Sequence, residues 1–180
     1  EGDNALRIIV LVADFVVFKD TVEKKTKTGQ PDIKCIVWDL DNTLWEGVLV
    51  EDSNVRLRVS ALDLIKQLDQ KGIVMSLVSK NDAEKALEKL KELGIDEYFL
   101  YPQINWLPKS QNIQQIAKCL NIGLDTFAFI DDNPFELAEV GETLPMVRCI
   151  SVDHLSSVVD DPRFAGSDSP DAKNRRQYYQ

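Results

Sequence analysis

The sequence is poor in the residues that build soft-metal sites and disulfide frameworks. It contains one histidine and three cysteines, Cys35, Cys119 and Cys149, which are widely spaced and form no CxxC pair. This pattern predicts neither a structural zinc site nor a disulfide framework. We therefore expect reduced thiols and a cytoplasmic setting.

Positive charge and long apolar runs are also scarce. The chain carries 21 Lys and Arg against 30 Asp and Glu, a net charge of −9. Because a nucleic-acid backbone requires a cationic surface, we expect no nucleic-acid partner. The apolar run from Ile8 to Phe18 is too short to span a bilayer and contains Asp14, and no secretion signal is recognisable. We therefore expect no membrane segment.

The length of 180 residues and the hydrophobic content of 44% suit one globular domain. Residues 5–25 have apolar spacing compatible with a helix or a strand, and the lysine-rich stretch after them is typical of a linker. We interpret 1–32 as an N-terminal segment and linker, with the remnant of an upstream domain as one interpretation. Residues 33–155 are predicted to be the core, and 156–180 a C-terminal loop and helix.

Apolar runs and helical patterns alternate through the predicted core. Strands are predicted at 33–40, 73–78, 98–101, 126–130 and 146–152, a hairpin around 45–57, and helices at 60–71, 82–93, 110–120, 135–140 and 171–179. Continuous apolar strands separated by helices are typical of a parallel sheet covered on both faces. The predicted fold is α/β, a Rossmann-like three-layer sandwich with a central parallel sheet.

Two acidic motifs follow predicted strands of this sheet. The first is Asp39-Leu40-Asp41-Asn42-Thr43, and the second is Asp131-Asp132-Asn133. Ligands of parallel sheets bind beyond the carboxyl ends of the strands, so these carboxylates are expected to converge. One carboxylate can attack an electrophile while another transfers protons. Oxygen ligands without histidine or cysteine favour Mg²⁺. Taken singly, the two motifs could also be a solvated turn and an acidic helix start.

Two further motifs suit a phosphate group. Ser79-Lys80-Asn81 follows a predicted strand, where a hydroxyl and backbone N–H groups can bind phosphate oxygens, although the same residues also suit a helix cap. Lys109 stands at a predicted helix start, where the helix dipole disfavours a cation. A compensating anion is therefore expected near Lys109, unless its side chain is simply exposed.

The order of these four motifs resembles that of the haloacid dehalogenase superfamily. The resemblance implies that Asp39 is the nucleophile and Asp41 the general acid and base. It further implies that the phosphoryl group contacts Thr43, Ser79, Lys80, Asn81 and Lys109, and that Mg²⁺ is held by Asp39, Asp41 through its carbonyl, Asp131 and Asp132. The spacing between the motifs leaves room only for a short flap, so the chain is expected to lack a cap domain.

The amino-acid sequence around the motifs resembles that of one branch of the superfamily, the FkbH-like domains, over residues 33–150. The resemblance is carried by residues 34–48, 79–82, the stretch from Ile104 to Ile113, and 129–136. It implies a glyceryl transferase and phosphatase that uses 1,3-bisphosphoglycerate to load the phosphopantetheine thiol of an acyl carrier protein in polyketide biosynthesis. Candidate docking patches for that carrier are the Lys24–Lys27 linker, the Lys85–Lys89–Lys91 group and the terminal Arg175-Arg176 beside Tyr178-Tyr179. The terminal group is favoured, and a solvated chain end is its alternative interpretation.

Two other functions remain open. One is a phosphatase without a cap that acts on a phosphoprotein or a phosphosugar, and the other is a non-catalytic docking domain, which has no need of both Asp39 and Asp41. Cys35 matches the family pattern for a thioester intermediate. It lies about 13 Å from the nucleophile along an extended strand, so we interpret it as a buried core thiol.

Overall fold

The computed structural model describes residues 29–180. The segment 5–25, for which a helix or a strand was predicted, and most of the predicted linker lie outside these residues. Seven strands are formed: β1 (Cys35–Trp38), β2 (Trp45–Glu46), β3 (Arg56–Leu57), β4 (Val74–Ser79), β5 (Gln103–Ile104), β6 (Phe127–Asp131) and β7 (Arg148–Ser151). Six helices accompany them: α1 (Val59–Gln70), α2 (Ala83–Glu92), α3 (Lys109–Leu120), α4 (Pro134–Thr143), α5 (Leu155–Asp160) and α6 (Pro170–Lys173).

The central sheet has five strands in the order β5-β4-β1-β6-β7, and all of its strand pairs are parallel. Every residue of β1, β4 and β6 is buried. This is expected for strands that are covered on both faces, and it explains why they appear in the sequence as continuous apolar runs. The prediction of an α/β fold with a central parallel sheet is confirmed.

The side chains of β1 alternate between two separate apolar clusters, because successive residues of a strand point to opposite faces. Ile36 and Trp38 pack in a cluster with buried residues of α1, α2 and α5. Cys35 and Val37 pack in a second cluster with buried residues of α3 and α4. The sheet therefore lies between two helical layers, which confirms the predicted three-layer sandwich.

A short connecting segment without a cap domain joins β1 to α1. Residues Leu40–Leu44 form a compact loop in which Asn42 has a φ of +54°. The loop leads into the antiparallel pair β2–β3, where Trp45 faces Leu57. The Arg58 guanidinium group donates hydrogen bonds to the carbonyls of Asn42 and Thr43, at 2.9 and 3.2 Å. The predicted flap is present at the expected place.

Two predicted elements differ from the structure. The strand predicted at 98–101 is wrong, because within that stretch a single bridge from Phe99 to Met75 joins the sheet, and Tyr101 turns the chain with a φ of +49°. The edge strand is instead β5, which is only two residues long. The helix predicted at 171–179 is divided into α6 and a tighter turn over Arg175–Tyr179. Helix α5 was not predicted.

The C-terminal tail packs against the end of the sheet where the parallel strands begin. Gly72, with a φ of +73°, stands where α6 passes so closely that an added Cβ would lie 2.8 Å from Ala172. Arg175 donates to the Gly72 carbonyl at 2.9 Å. Arg176 pairs with Asp69 at 3.0 Å and donates to the Glu97 carbonyl at 2.7 Å.

Both arginines therefore have partners inside the chain. These partners lie where the parallel strands begin, at the end of the sheet opposite to the acidic motifs. The docking role of Arg175 and Arg176 stays a prediction, and both side chains are half-buried and already engaged within the chain. Within residues 29–180, none of the helices has the length and apolar character needed to cross a membrane.

We expect Arg176→Ala to lower the free energy of unfolding by about 1–3 kcal/mol, because it removes charged hydrogen bonds that hold the tail. The matched control is Arg56→Ala, which removes an exposed pair with Glu46 at 3.8 Å. The Arg56 side chain is 86% exposed and that of Arg176 only 14%. The control should therefore change stability by less than about 0.5 kcal/mol. Urea denaturation measures both, and equal losses would contradict a structural role for Arg176.

Candidate active site

The predicted site residues meet at the carboxyl ends of β1, β4 and β6, which are neighbours in the sheet. A cavity of about 280 Å³ opens there. Seven of the nine predicted residues line it: Asp39, Asp41, Ser79, Lys80, Lys109, Asp131 and Asp132. The sheet topology thus brings together residues that are separated by up to 93 positions in the sequence, as Asp39 and Asp132 are.

A buried ion triad forms the floor of this cavity. The Lys109 ammonium group lies 2.8 Å from Asp39 Oδ1 and 2.5 Å from Asp131 Oδ2. The three residues are 4%, 6% and 0% exposed, respectively. Lys109 is the first residue of α3, and Asp39 and Asp131 are the compensating anions that its position at a helix start led us to expect.

Burial shifts the proton equilibria of all three groups. It raises the pKa of Asp39 to about 7; the nearby Lys109 opposes this shift and the Asp131 carboxylate adds to it. Burial likewise raises the pKa of Asp131. Burial by itself would lower the pKa of Lys109, but the two carboxylates outweigh it and raise that pKa above its ordinary value. One ammonium group therefore does not fully offset the two buried carboxylates.

Three carboxylates are close enough to share a cation. Asp39, Asp131 and Asp132 each offer an oxygen, and these oxygens lie within 4.8 Å of one another. The Asn133 backbone N–H orients Asp131 by donating to its Oδ1 at 2.8 Å. Hard divalent cations such as Mg²⁺ prefer oxygen-only donor sets of this kind. The residues present fit a magnesium ion, whose positive charge would offset the excess negative charge of the cluster.

Asp41 is held by the flap and by the end of β4. Its Oδ1 accepts hydrogen bonds from Trp45 Nε1 at 2.8 Å and from the Leu49 backbone N–H at 3.0 Å. Its Oδ2 accepts from Asn81 Nδ2 at 3.0 Å. The Asp41 carboxylate is therefore fixed in the cavity wall, and it is not among the clustered carboxylates that could hold a metal.

Two residues that were predicted to bind phosphate do not line the cavity. Thr43 Oγ1 accepts from the Asp132 N–H at 2.9 Å and lies 3.3 Å from Asp132 Oδ1. Asn81, only 2% exposed, holds Asp41 as described and accepts from the Asp82 N–H. Both residues act on the position of a neighbouring carboxylate.

Three cavity residues had no predicted role: Asn42, Asn133 and Glu136. Asn133 caps α4 by accepting from the Phe135 N–H at 2.9 Å. Asn42 and Asn133 belong to the two acidic motifs, so their adjacency in sequence to predicted site residues indicated that they could line the cavity. Glu136 ends the stretch 129–136 that carries the resemblance to the FkbH-like domains, but that stretch assigned it no role, and it reaches the cavity through the orientation of α4.

Cys35 is an interior residue. Its side chain is fully buried between the sheet and the α3–α4 layer, and burial raises the pKa of its thiol. The interpretation as a core thiol is confirmed, and the thiol is not exposed to a substrate in the cavity.

The fold is that of haloacid dehalogenase superfamily hydrolases. The N-terminal part of a Bacteroides fragilis protein, described as containing a phosphatase domain and complexed with Mg, is 33% identical with a TM-score of 0.62. The similarity covers 68% of this chain but 36% of that one, so the chain spans about a third of its relative.

Two more distant structures share the fold. A hydrolase of the superfamily from Geobacter sulfurreducens is 11% identical with a TM-score of 0.58, and the match covers 71% of this chain and 98% of that one. The cobalt-bound deoxy-D-mannose-octulosonate 8-phosphate phosphatase from Haemophilus influenzae is 21% identical with a TM-score of 0.51, covering 67% and 68%.

A family profile described as "Protein of unknown function (DUF705)" matches residues 9–104. This is more than half of the 180 residues, so the chain belongs to that family. Among curated proteins no significant match was found.

The burial of the thiols predicts their reactivity. Only the thiolate reacts with iodoacetamide, and burial raises the pKa of Cys35 and, to about 11, that of Cys149. Cys119 is exposed on α3. We expect brief alkylation of the native protein at pH 8 to modify Cys119 alone, whereas all three cysteines should react in urea. Peptide mass spectrometry distinguishes the sites, and rapid native labelling of Cys35 would contradict its burial.

Proposed function

We propose that the chain is a Mg²⁺-dependent phosphatase in which Asp39 is the nucleophile. The observation that carries this proposal is the buried triad, in which one ammonium group lies between the Asp39 and Asp131 carboxylates at 2.8 and 2.5 Å. An anionic nucleophile can approach an anionic phosphoryl group only where cations offset their repulsion. The fold shared with superfamily phosphatases supports the same conclusion.

The proposed reaction has two steps. An Asp39 carboxylate oxygen attacks phosphorus and forms an aspartyl phosphate, while Asp41 protonates the oxygen of the leaving group. Asp41 then takes a proton from a water molecule, which attacks phosphorus and releases phosphate from Asp39. The three hydrogen bonds on Asp41 support this role, because they keep its carboxylate oriented within the same cavity.

The remaining groups bind the phosphoryl group or the metal ion and offset their charges. Lys109 and Ser79 hold phosphoryl oxygens in this proposal, which is supported by the position of both residues in the cavity lining. Asp39, Asp131, Asp132 and the backbone carbonyl of Asp41 would hold Mg²⁺, which would supply positive charge to the phosphoryl oxygens when bound. Thr43 and Asn81 position Asp132 and Asp41, respectively.

We expect Asp39→Asn to lower phosphate release from p-nitrophenyl phosphate by at least about a thousandfold, because an amide does not form the aspartyl phosphate. Asp41→Asn should lower kcat most for alkyl phosphates, whose leaving groups need a proton, and least for p-nitrophenyl phosphate. Asp153→Asn, on an exposed side chain outside the cavity, is the control. Wild-type activity in Asp39→Asn would rule out the nucleophile.

Metal affinity provides an independent test. Asp132→Asn removes a proposed ligand and Thr43→Val removes a hydrogen bond that holds Asp132, so each should weaken Mg²⁺ binding by about tenfold or more. Asp153→Asn should leave the affinity unchanged. Isothermal titration calorimetry measures the dissociation constants without turnover. Unchanged affinity in both Asp132→Asn and Thr43→Val would place the ion elsewhere.

A more specific function is glyceryl transfer, as in the FkbH-like domains that the motifs resemble. Within residues 29–180 the site is covered by the flap and by no cap domain, which leaves room for a substrate tethered to a carrier protein. Trp106 and Phe135, 73% and 72% exposed, lie next in sequence to the loops that carry Lys109 and Asn133. These apolar side chains could contact such a carrier. The cytoplasm is the proposed compartment, since the three cysteines are unpaired.

The two functions differ in their products. With 1,3-bisphosphoglycerate and a phosphopantetheinylated acyl carrier protein, the transferase adds a glyceryl group to the carrier, which intact-protein mass spectrometry detects. A phosphatase acting on phosphosugars or phosphoproteins releases phosphate and leaves the carrier mass unchanged. Addition without enzyme, or with Asp39→Asn to the same extent, would exclude transfer at this site.

A further inference from the structure

Glu136 has a carboxylate oxygen that the proposed chemistry does not use. It lies in the first turn of α4, is 8% exposed, and lines the cavity beside Ser79 and Asp132. Its Oε1 accepts a hydrogen bond from Lys80 Nζ at 2.7 Å. Its Oε2 is buried and has no hydrogen-bond partner among residues 29–180. A buried carboxylate oxygen without a donor is costly, so this oxygen is a strong acceptor for a donor group that enters the cavity.

The charges around Glu136 indicate which donor fits. A carboxylate accepts hydrogen bonds and repels other anions, so the partner must carry N–H or O–H hydrogen. Lys80 already balances the charge of Glu136 at 2.7 Å. A neutral donor therefore satisfies Oε2 without a second cation, and the neutral donor that phosphorylated metabolites commonly offer near the phosphate is a hydroxyl group.

We propose that Glu136 Oε2 accepts a hydrogen bond from a hydroxyl group on the carbon skeleton of the phosphorylated substrate. The substrate class is then a hydroxylated phosphate ester or acyl phosphate rather than a plain alkyl phosphate. The inference rests on the proposed function, because it takes the phosphoryl group to lie in the cavity next to both Asp39 and Lys109. Glu136 lines the same cavity as Asp39 and Lys109, and the broad terminal torsion of a glutamate allows its carboxylate to turn toward a ligand there.

The sharpest test compares two esters of the same carbon number, glycerol 3-phosphate and propyl phosphate. We expect the wild type to favour glycerol 3-phosphate by about tenfold or more in kcat/KM, because a buried acceptor discriminates against a ligand without the donor. In Glu136→Ala this ratio should fall to within about twofold of unity. The variant also releases Lys80, which affects both esters alike and therefore cancels in the ratio. Glu142→Ala, an exposed position on the same helix, should keep the wild-type ratio.

A binding measurement separates this inference from the proposed catalysis. In an Asp39→Asn background, calorimetry with Mg²⁺ present gives the dissociation constants of both esters without turnover. We expect the same preference for glycerol 3-phosphate, and its loss when Glu136→Ala is added. Thermal melting verifies that each variant is folded, and Glu136→Met, which keeps the side-chain length but has no oxygen acceptor, replaces Glu136→Ala if that variant unfolds.

The outcomes are distinct. Equal binding and equal turnover of the two esters by the wild type overturn the role of Glu136 and leave the phosphatase proposal standing. A wild-type preference that survives in a folded Glu136 variant also overturns it. Preferential binding in the Asp39→Asn background without any hydrolysis by the wild type would support the role of Glu136 while the proposed phosphatase fails.

Discussion

The contact between Lys109 and two buried carboxylates is the constraint on which the rest of the site depends. Charges without water are costly unless they are paired, and here one ammonium group serves both Asp39 and Asp131. The three groups belong to α3, to the loop after β1 and to the end of β6. Their distances therefore hold only if the helix, the loop and the strand keep their relative positions, so the charge balance is tied to the packing of the whole domain.

A ring of polar contacts around the triad sets the remaining carboxylates. Thr43 holds Asp132 and Asn81 holds Asp41, and both of these positioning residues are buried. Arg58 fixes the loop Leu40–Leu44 by donating hydrogen bonds to two of its backbone carbonyls. The flap thus has a second role besides covering the site, because Trp45 within it donates to Asp41. In the proposed reaction, orientation of this kind would allow Asp41 to transfer protons without reorganising.

Much of the fold could be predicted because the central strands are buried on both faces. Apolar runs identified the buried strands β1, β4 and β6, and glycine or capping residues marked the helix ends, as Gly72 does after α1. The prediction was wrong at 98–101, where apolar residues pack against the core without forming a ladder. The strand that pairs there instead, β5, is only two residues long, and its pairing with Val78 and Ser79 depends on the neighbouring strand rather than on its own composition.

The sequence by itself determined the chemistry that is possible, since paired aspartates after buried strands, a serine and a lysine at a helix start define an oxygen-rich site for a phosphate and a hard cation. Only the tertiary structure decided which of these groups contact one another in the cavity and which hold a neighbouring side chain. It placed Lys109 between two carboxylates, turned Thr43 and Asn81 into supports, engaged Arg175 and Arg176 at the end of the sheet where the parallel strands begin, and brought Glu136 into the cavity. The physical reason is that each of these contacts joins residues far apart in sequence, whose distance is set by sheet order and helix packing and leaves no periodic signal in the chain.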